Sequence, residues 1–260
     1  QAVRLVSPVC SPVIGSLLLH VLDLRGIFVT LSVIGVLILA MGLIFSESLP
    51  KNQRTRDDIL PTIGHLTWLL KSKPFVLFLL TMAMFNLPFM AYIAVGSYIY
   101  IDAFGLSELG YSAFFAVGAV AGSVGPFIWL FVQKFTSAKT FTTVLLTVSV
   151  AAGFALMAFG GISEYTFCGL FLLFILAESC ARPYGTNILL NQHDGETGAA
   201  SSVINFTHTV FGCFGMLLAV LPWPNYMFGV GAIIVISTAV AFVFWAFILK
   251  GTVIVRGLND

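Results

Sequence analysis

The 260-residue chain carries 23 Asp, Glu, Lys and Arg residues, and what most limits its fold is where they are missing. Uncharged runs cover residues 5–22, 26–46, 74–101, 109–133, 140–163 and 197–249. About 20 apolar residues in a helix cross the hydrocarbon core of a bilayer, so each run is long enough to be a membrane span. Transmembrane β-strands would need short segments of alternating polarity, and these runs are continuously apolar. With 9% of residues charged, against roughly 25% in an ordinary soluble domain, a soluble fold is excluded.

The 53-residue run at 197–249 is too long for one span, and Pro222-Trp223-Pro224-Asn225 divides it: two prolines bend the chain and the Trp favours the interface. With the apolar stretch 165–190, whose interior charges are Glu178 and Arg182 alone, eight spans result, at about 5–22, 26–46, 74–101, 110–133, 140–162, 165–190, 198–221 and 225–249. On one side of this eight-span path lie Arg4, Lys51, Arg54, Arg56, Lys71, Lys73, Lys134, Lys139, Lys250 and Arg256, and on the other only Arg25. That asymmetry makes both ends of the segment cytoplasmic and supports the span count, since one missed helix would scramble it. The fold class expected is an all-α, multi-pass bundle in the lipid bilayer of the plasma (cytoplasmic) membrane.

Residues 47–73 hold eight of the charges. Their second half, 57–70, opens on Asp57, Asp58 and Pro61 and then repeats apolar residues at three- and four-residue spacing, the pattern of a short amphipathic helix at the cytoplasmic interface. This segment reads as a linker between residues 1–46 and 74–260. The chain begins at Gln1 without a signal peptide, and it is expected to be a piece of a longer protein.

Other partners and chemistries find no support. Net charge is +1 with no basic cluster, which sets nucleic acid aside. Cys10, Cys168, Cys180 and Cys213 lack metal-site spacing, so no metal is expected, and they read as small packing residues. No phosphate-binding loop, histidine pair, nucleophile elbow or Cys-x-x-Cys is present; the expectation is no enzyme and no cofactor.

Polar residues inside the spans carry the functional signal, because a charge at mid-bilayer is costly and usually faces a cavity or a partner. Span six places Glu178 and Arg182 four residues apart on one helical face, followed by Pro183. They either neutralise one another or line a polar path in which Glu178 exchanges a proton or meets a cationic solute. Span three contains Asn86, Tyr92 and Pro88, the proline able to open the helix mid-membrane; Asn86 is either a solute contact or inter-helix glue. Tyr98 and Tyr100, near Asp102, read as interfacial anchors. Asn187 in span six, and Asn205 and His208 in span seven, are further cavity candidates, although a lone His in an apolar helix is more often a packing group. Spans two, five and eight have no ionisable interior residue and read as peripheral. Gly118, Gly122 and Gly125 give span four a smooth face for close helix approach, and Pro8, Pro12 and Gly15 mark a bent packing surface in span one.

The stretch from Arg4 to Leu17, with Ser7-Pro8 and Ser11-Pro12-Val13-Ile14-Gly15-Ser16, resembles the fifth-helix antiporter motif of major facilitator superfamily drug exporters. Phe45-Ser46-Glu47-Ser48-Leu49-Pro50 is similar to the end of their sixth helix, and Gly198-Ala199-Ala200-Ser201 to the entry of their eleventh. The nearest subfamily is the Bcr/CflA type of drug:proton antiporters. The resemblance implies a partial major facilitator bundle, its eight spans being helices five to twelve and its missing N-terminal helices partners in the whole transporter. It also implies proton-coupled efflux of drugs or other xenobiotics, small and mostly apolar or cationic, with the proton as coupling ion. Glu178 would then be the charge sensor, Arg182 its partner, and Asn86, Tyr92, Asn187, Asn205 and His208 cavity walls. The alternatives are a transporter of a metabolite such as a nucleoside, sugar or amino-acid derivative, and a non-transporting membrane remnant.

Overall fold

The computed structural model describes Gly15, Leu18 and residues 21–44, 68–192, 197–251 and 253–258. Among them all regular structure is helical: α1 (Leu24–Ile44), α2 (Lys73–Ser97) running on into a π-helical turn (Tyr98–Ala103), α3 (Glu108–Val132), α4 (Ala138–Phe159), α5 (Glu164–Leu190), α6 (Thr197–Ala219) and α7 (Tyr226–Leu249). Among the described residues seven helices are long and apolar enough to cross a membrane. They match the second to eighth spans read from the sequence to within a few residues. Of the first span, Gly15, which is helical and half-buried, Leu18 and the last two residues are described; Pro8 and Pro12 lie outside the described residues. So does most of the expected amphipathic helix, of which residues 68–71 are described and helical.

Polar caps set the helix starts. The side chains of Ser107, Ser137, Ser163 and Asn225 accept hydrogen bonds from the backbone N–H groups of Gly110 (3.2 Å), Thr140 (3.3 Å), Thr166 (3.1 Å) and Phe228 (2.7 Å), satisfying amides that have no partner within the helix. At the start of α2 it is Pro74, in the first turn, that sacrifices no helical bond.

Helices α2 to α7 pack together around α2, which lies against α5, α6 and α7; α4 joins α5 to α7, and α3 lies on α5. The crossings occur where glycine lets backbones approach. A methyl carbon built on Gly125 of α3 would stand 2.6 Å from the Ser179 backbone carbonyl carbon in α5, and one on Gly118 would stand 3.1 Å from the Ile175 side chain. The Gly118, Gly122 and Gly125 face is therefore the α3–α5 contact. Gly153 of α4 and Gly231 of α7 face one another in the same way, a methyl on either coming within 3.0 Å of the other's carbonyl oxygen. Polar ties reinforce these contacts: the Tyr184 hydroxyl donates to the Ala138 carbonyl (2.9 Å), and the Trp245 indole N–H donates to the Thr143 hydroxyl (3.0 Å).

Three expectations change. Helix α2 runs through Pro88 without ending, and its irregularity comes ten residues later in the π-helical turn. That wider turn shifts the register of the side chains, so Tyr100 is 1% exposed and stacks on Phe114 (5.0 Å) inside an aromatic core; only Tyr98 is exposed as an interfacial anchor would be. The peripheral reading of α7 is narrowed to one side of the helix. One face, including Val230, Ile234, Ala241 and Trp245, is buried against α2 and α4, while Ile236, Val243 and Phe247 are exposed. A helix that is apolar all round does not reveal which side faces lipid.

After α7 the chain doubles back through turns at Gly251 and Gly257, whose positive φ angles of 72° and 80° suit glycine. The buried Gln192, just past α5, donates to the carbonyls of Ile188 (3.0 Å) and Arg256 (2.9 Å) and accepts from the Arg256 N–H (3.1 Å), while Val255 and Leu258 are buried beside it. Gln192→Ala leaves both Arg256 backbone groups without that partner and should cost about 1–3 kcal/mol. Thermal unfolding in detergent checks this, with the exposed Asn191→Ala as control; equal midpoints for the two variants would show that the strap does not hold the end of α5.

Candidate functional site

The groups singled out by sequence lie mainly on α2, α5 and α6. Helix α6 seats against α2 at Gly212 and Gly215: a methyl on Gly212 would stand 2.9 Å from Asn86 Nδ2, and one on Gly215 would collide with the Leu87 carbonyl oxygen. In the space kept by Gly212, Asn86 Nδ2 donates to the backbone carbonyl of His208 across the α2–α6 contact (2.6 Å). Asn86 and His208 are 3% and 6% exposed. Asn86 Oδ1 and His208 Nδ1 are both buried and without a hydrogen-bond partner. Buried polar atoms are nearly always paired, so two orphans on one contacting pair mark a place where a further polar group is called for.

Glu178 and Arg182 are the only Asp, Glu, Lys or Arg side chains within the described spans away from their ends. They share one region of α5 but differ in environment: Glu178 is buried, Arg182 exposed. Among the described residues no ion pair joins them and neither makes a hydrogen bond. The guanidinium charge nevertheless acts on the Glu178 carboxylate of its own helix and on the His208 ring of α6, a helix that packs against α5, which gathers Glu178, Arg182 and His208 into one electrostatic neighbourhood. Asn86 joins it through its bond to His208.

The remaining candidates fall elsewhere. Tyr92 is buried in the aromatic core, 4.1 Å from Phe171 and stacked on Phe115. Asn187 and Asn205 are exposed and satisfied locally: Asn187 Oδ1 accepts from Asn191 Nδ2 (3.4 Å), and Asn205 Nδ2 donates to the Ser201 carbonyl (2.8 Å). The positioning glycines Gly212 and Gly215 went unnoticed in the sequence, although their small-x-x-small spacing within an otherwise bulky span was the available signal. Among the described residues no cluster of His, Cys, Asp and Glu could hold a metal ion.

Residues 1–216 match the family model described as Major Facilitator Superfamily, more than half of the chain. The chain belongs to the major facilitator superfamily. With seven apolar helices among its described residues, this major facilitator protein is a multi-pass membrane protein. Over 131 residues it is 30% identical to an uncharacterized MFS-type transporter, YdgK, of Bacillus subtilis (strain 168). That alignment covers 49% of the chain and 33% of the relative, so the chain spans well under two thirds of the curated relative it matches.

Proposed function

We propose that this major facilitator protein takes part in the movement of a small solute across the plasma membrane by alternating access, as proton-coupled export of drugs or other xenobiotics. The observation that carries the reading is Glu178, a carboxylate buried inside a membrane bundle with no ion-pair partner among the described residues. A purely structural charge would be expected to be neutralised in contact; one kept apart from its nearest cation is placed to gain and lose a proton. Arg182 and His208 are the charged and titratable groups that share its electrostatic neighbourhood, with the Cys180 thiol nearby on the same helix. The superfamily match and the name of the B. subtilis relative support transport as the general activity.

In this reading residues 1–46 end one six-helix half, residues 47–73 link the halves at the cytoplasmic surface, and residues 74–260 form the other half. The eight spans are helices five to twelve, and rocking of the halves about a midplane site moves the solute. The full-length protein in proteoliposomes tests the reading: an imposed pH gradient should drive accumulation of a transported solute, and adding solute should release protons. Solute movement indifferent to the gradient, with no proton release, would remove the coupling; no movement of any compound in a broad solute panel would favour a membrane remnant.

A further inference from the structure

We propose that Arg182 is the anion-binding group of the solute site, and that the solute is an organic oxyanion carrying its own O–H or N–H donor. The proposal rests on the transport reading and narrows its cargo. Of the two interior charges the carboxylate is covered and the guanidinium is exposed, so the interior charge that α5 leaves uncovered is positive. A cationic solute would meet the Arg182 charge before it met Glu178. Among the described residues Arg182 makes neither a hydrogen bond nor an ion pair. Its planar fork of five donors is the side chain best matched to the two oxygens of a carboxylate or phosphate.

The donor requirement comes from the neighbouring pair. Asn86 Oδ1 can only accept, and His208 Nδ1 accepts or donates according to its tautomer. A hydroxyl or N–H group beside the anionic end satisfies the Asn86 oxygen, and a hydroxyl can serve both orphans. Helix α6, which carries His208, packs against α5, which carries Arg182, and the Arg182 charge acts on the His208 ring, so the anion site and the neutral hydrogen-bonding site are neighbours. Arg182 lies eight residues before α5 ends at Leu190, or about 12 Å along a helix rising 1.5 Å per residue. Its long side chain could still reach toward a lipid phosphate at the cytoplasmic surface, so the test separates a soluble anion from a headgroup.

The experiment uses the full-length protein in detergent and in proteoliposomes, with benzoate, 4-hydroxybenzoate and phenyl phosphate as anionic probes and ethidium as the cationic one. Anions should raise the unfolding temperature and drive counterflow, with 4-hydroxybenzoate bound more tightly than benzoate. Arg182→Gln should weaken anion binding tenfold or more, and Arg182→Lys should fall between. Protection by ethidium but by none of the anions, or anion affinity within twofold of wild type in Arg182→Gln, overturns the proposal. So does protection by phosphatidylglycerol vesicles without protection by any soluble anion, which would assign Arg182 to lipid. Transport of ethidium alone would refute the anion site and leave the transport reading standing; anion binding that depends on Arg182 without translocation would do the reverse.

Discussion

Under the proposed proton coupling, Glu178→Gln in the full-length protein is expected to abolish accumulation driven by a pH gradient while leaving the bundle folded. The substitution keeps the side chain's shape and its capacity to hydrogen-bond, and removes only its ability to ionise. Because the Glu178 carboxylate is 7% exposed and has no ion-pair contact among the described residues, no salt bridge is broken by the change. A buried carboxylate lacking a contact partner costs stability whenever it is charged, so the amide should unfold at the same temperature or a higher one. Gradient-driven uptake should fall by about tenfold or more, a loss equivalent to roughly 1.4 kcal/mol or greater. Solute counterflow without a gradient should persist, because it needs no net proton movement. Glu178→Asp, which keeps the titrating group on a shorter stem, should retain part of the gradient response. Undiminished uphill transport in Glu178→Gln would remove Glu178 from the coupling step. A large loss of thermal stability would instead assign the carboxylate a structural role.

How much of this could be read beforehand depended on whether a property is local to one helix. Span positions were legible because crossing a bilayer imposes one requirement on every residue of a run; among the described residues six helices appear where the charge-free runs put them, and the seventh, α5, where the apolar stretch around Glu178 and Arg182 put it. The Gly118, Gly122 and Gly125 face was legible as a packing surface because the absence of side chains is itself the packing feature, and its partner proved to be Ile175 and Ser179 of α5. Pairing across helices was not legible. Asn86 and His208 are 122 residues apart, and nothing in either segment announces the hydrogen bond between them. Glu178 and Arg182 share a helical face by spacing, yet spacing did not reveal that tertiary packing covers one and exposes the other. Tyr100 was misread because residue type and nearness to Asp102 made it an interfacial anchor, whereas the π-helical turn there carries it into the aromatic core. Gln192 was missed for a related reason: its partners belong to a tail that returns from 64 residues away.

Gly215→Leu should prevent the bundle from forming, whereas Gly169→Leu should be tolerated. Both residues lie within apolar membrane helices, and in an isolated helix either change would add a good helix former. The difference is tertiary. Gly215 sits where α6 touches α2, and even a single methyl carbon there would overlap the Leu87 carbonyl oxygen. That oxygen belongs to backbone and cannot swing aside as the end of a flexible side chain could. Nothing lies within 4 Å of the corresponding position on the exposed Gly169. Forcing bulk into a tight core typically costs 1–3 kcal/mol and occasionally more, and collision with backbone belongs at or above the upper end of about 3 kcal/mol. The α2–α6 contact also carries the Asn86–His208 bond, so spreading the two helices would disrupt the proposed solute site before the fold is wholly lost. Gly215→Ala should therefore give a milder stability loss with a disproportionate loss of solute binding. Size-exclusion profiles and detergent thermal unfolding of the three variants, with binding measured on those that fold, provide the check. Comparable stability of Gly215→Leu and Gly169→Leu would mean that α6 does not seat on α2 at Gly215, and the juxtaposition of Asn86 with His208 would lose its support.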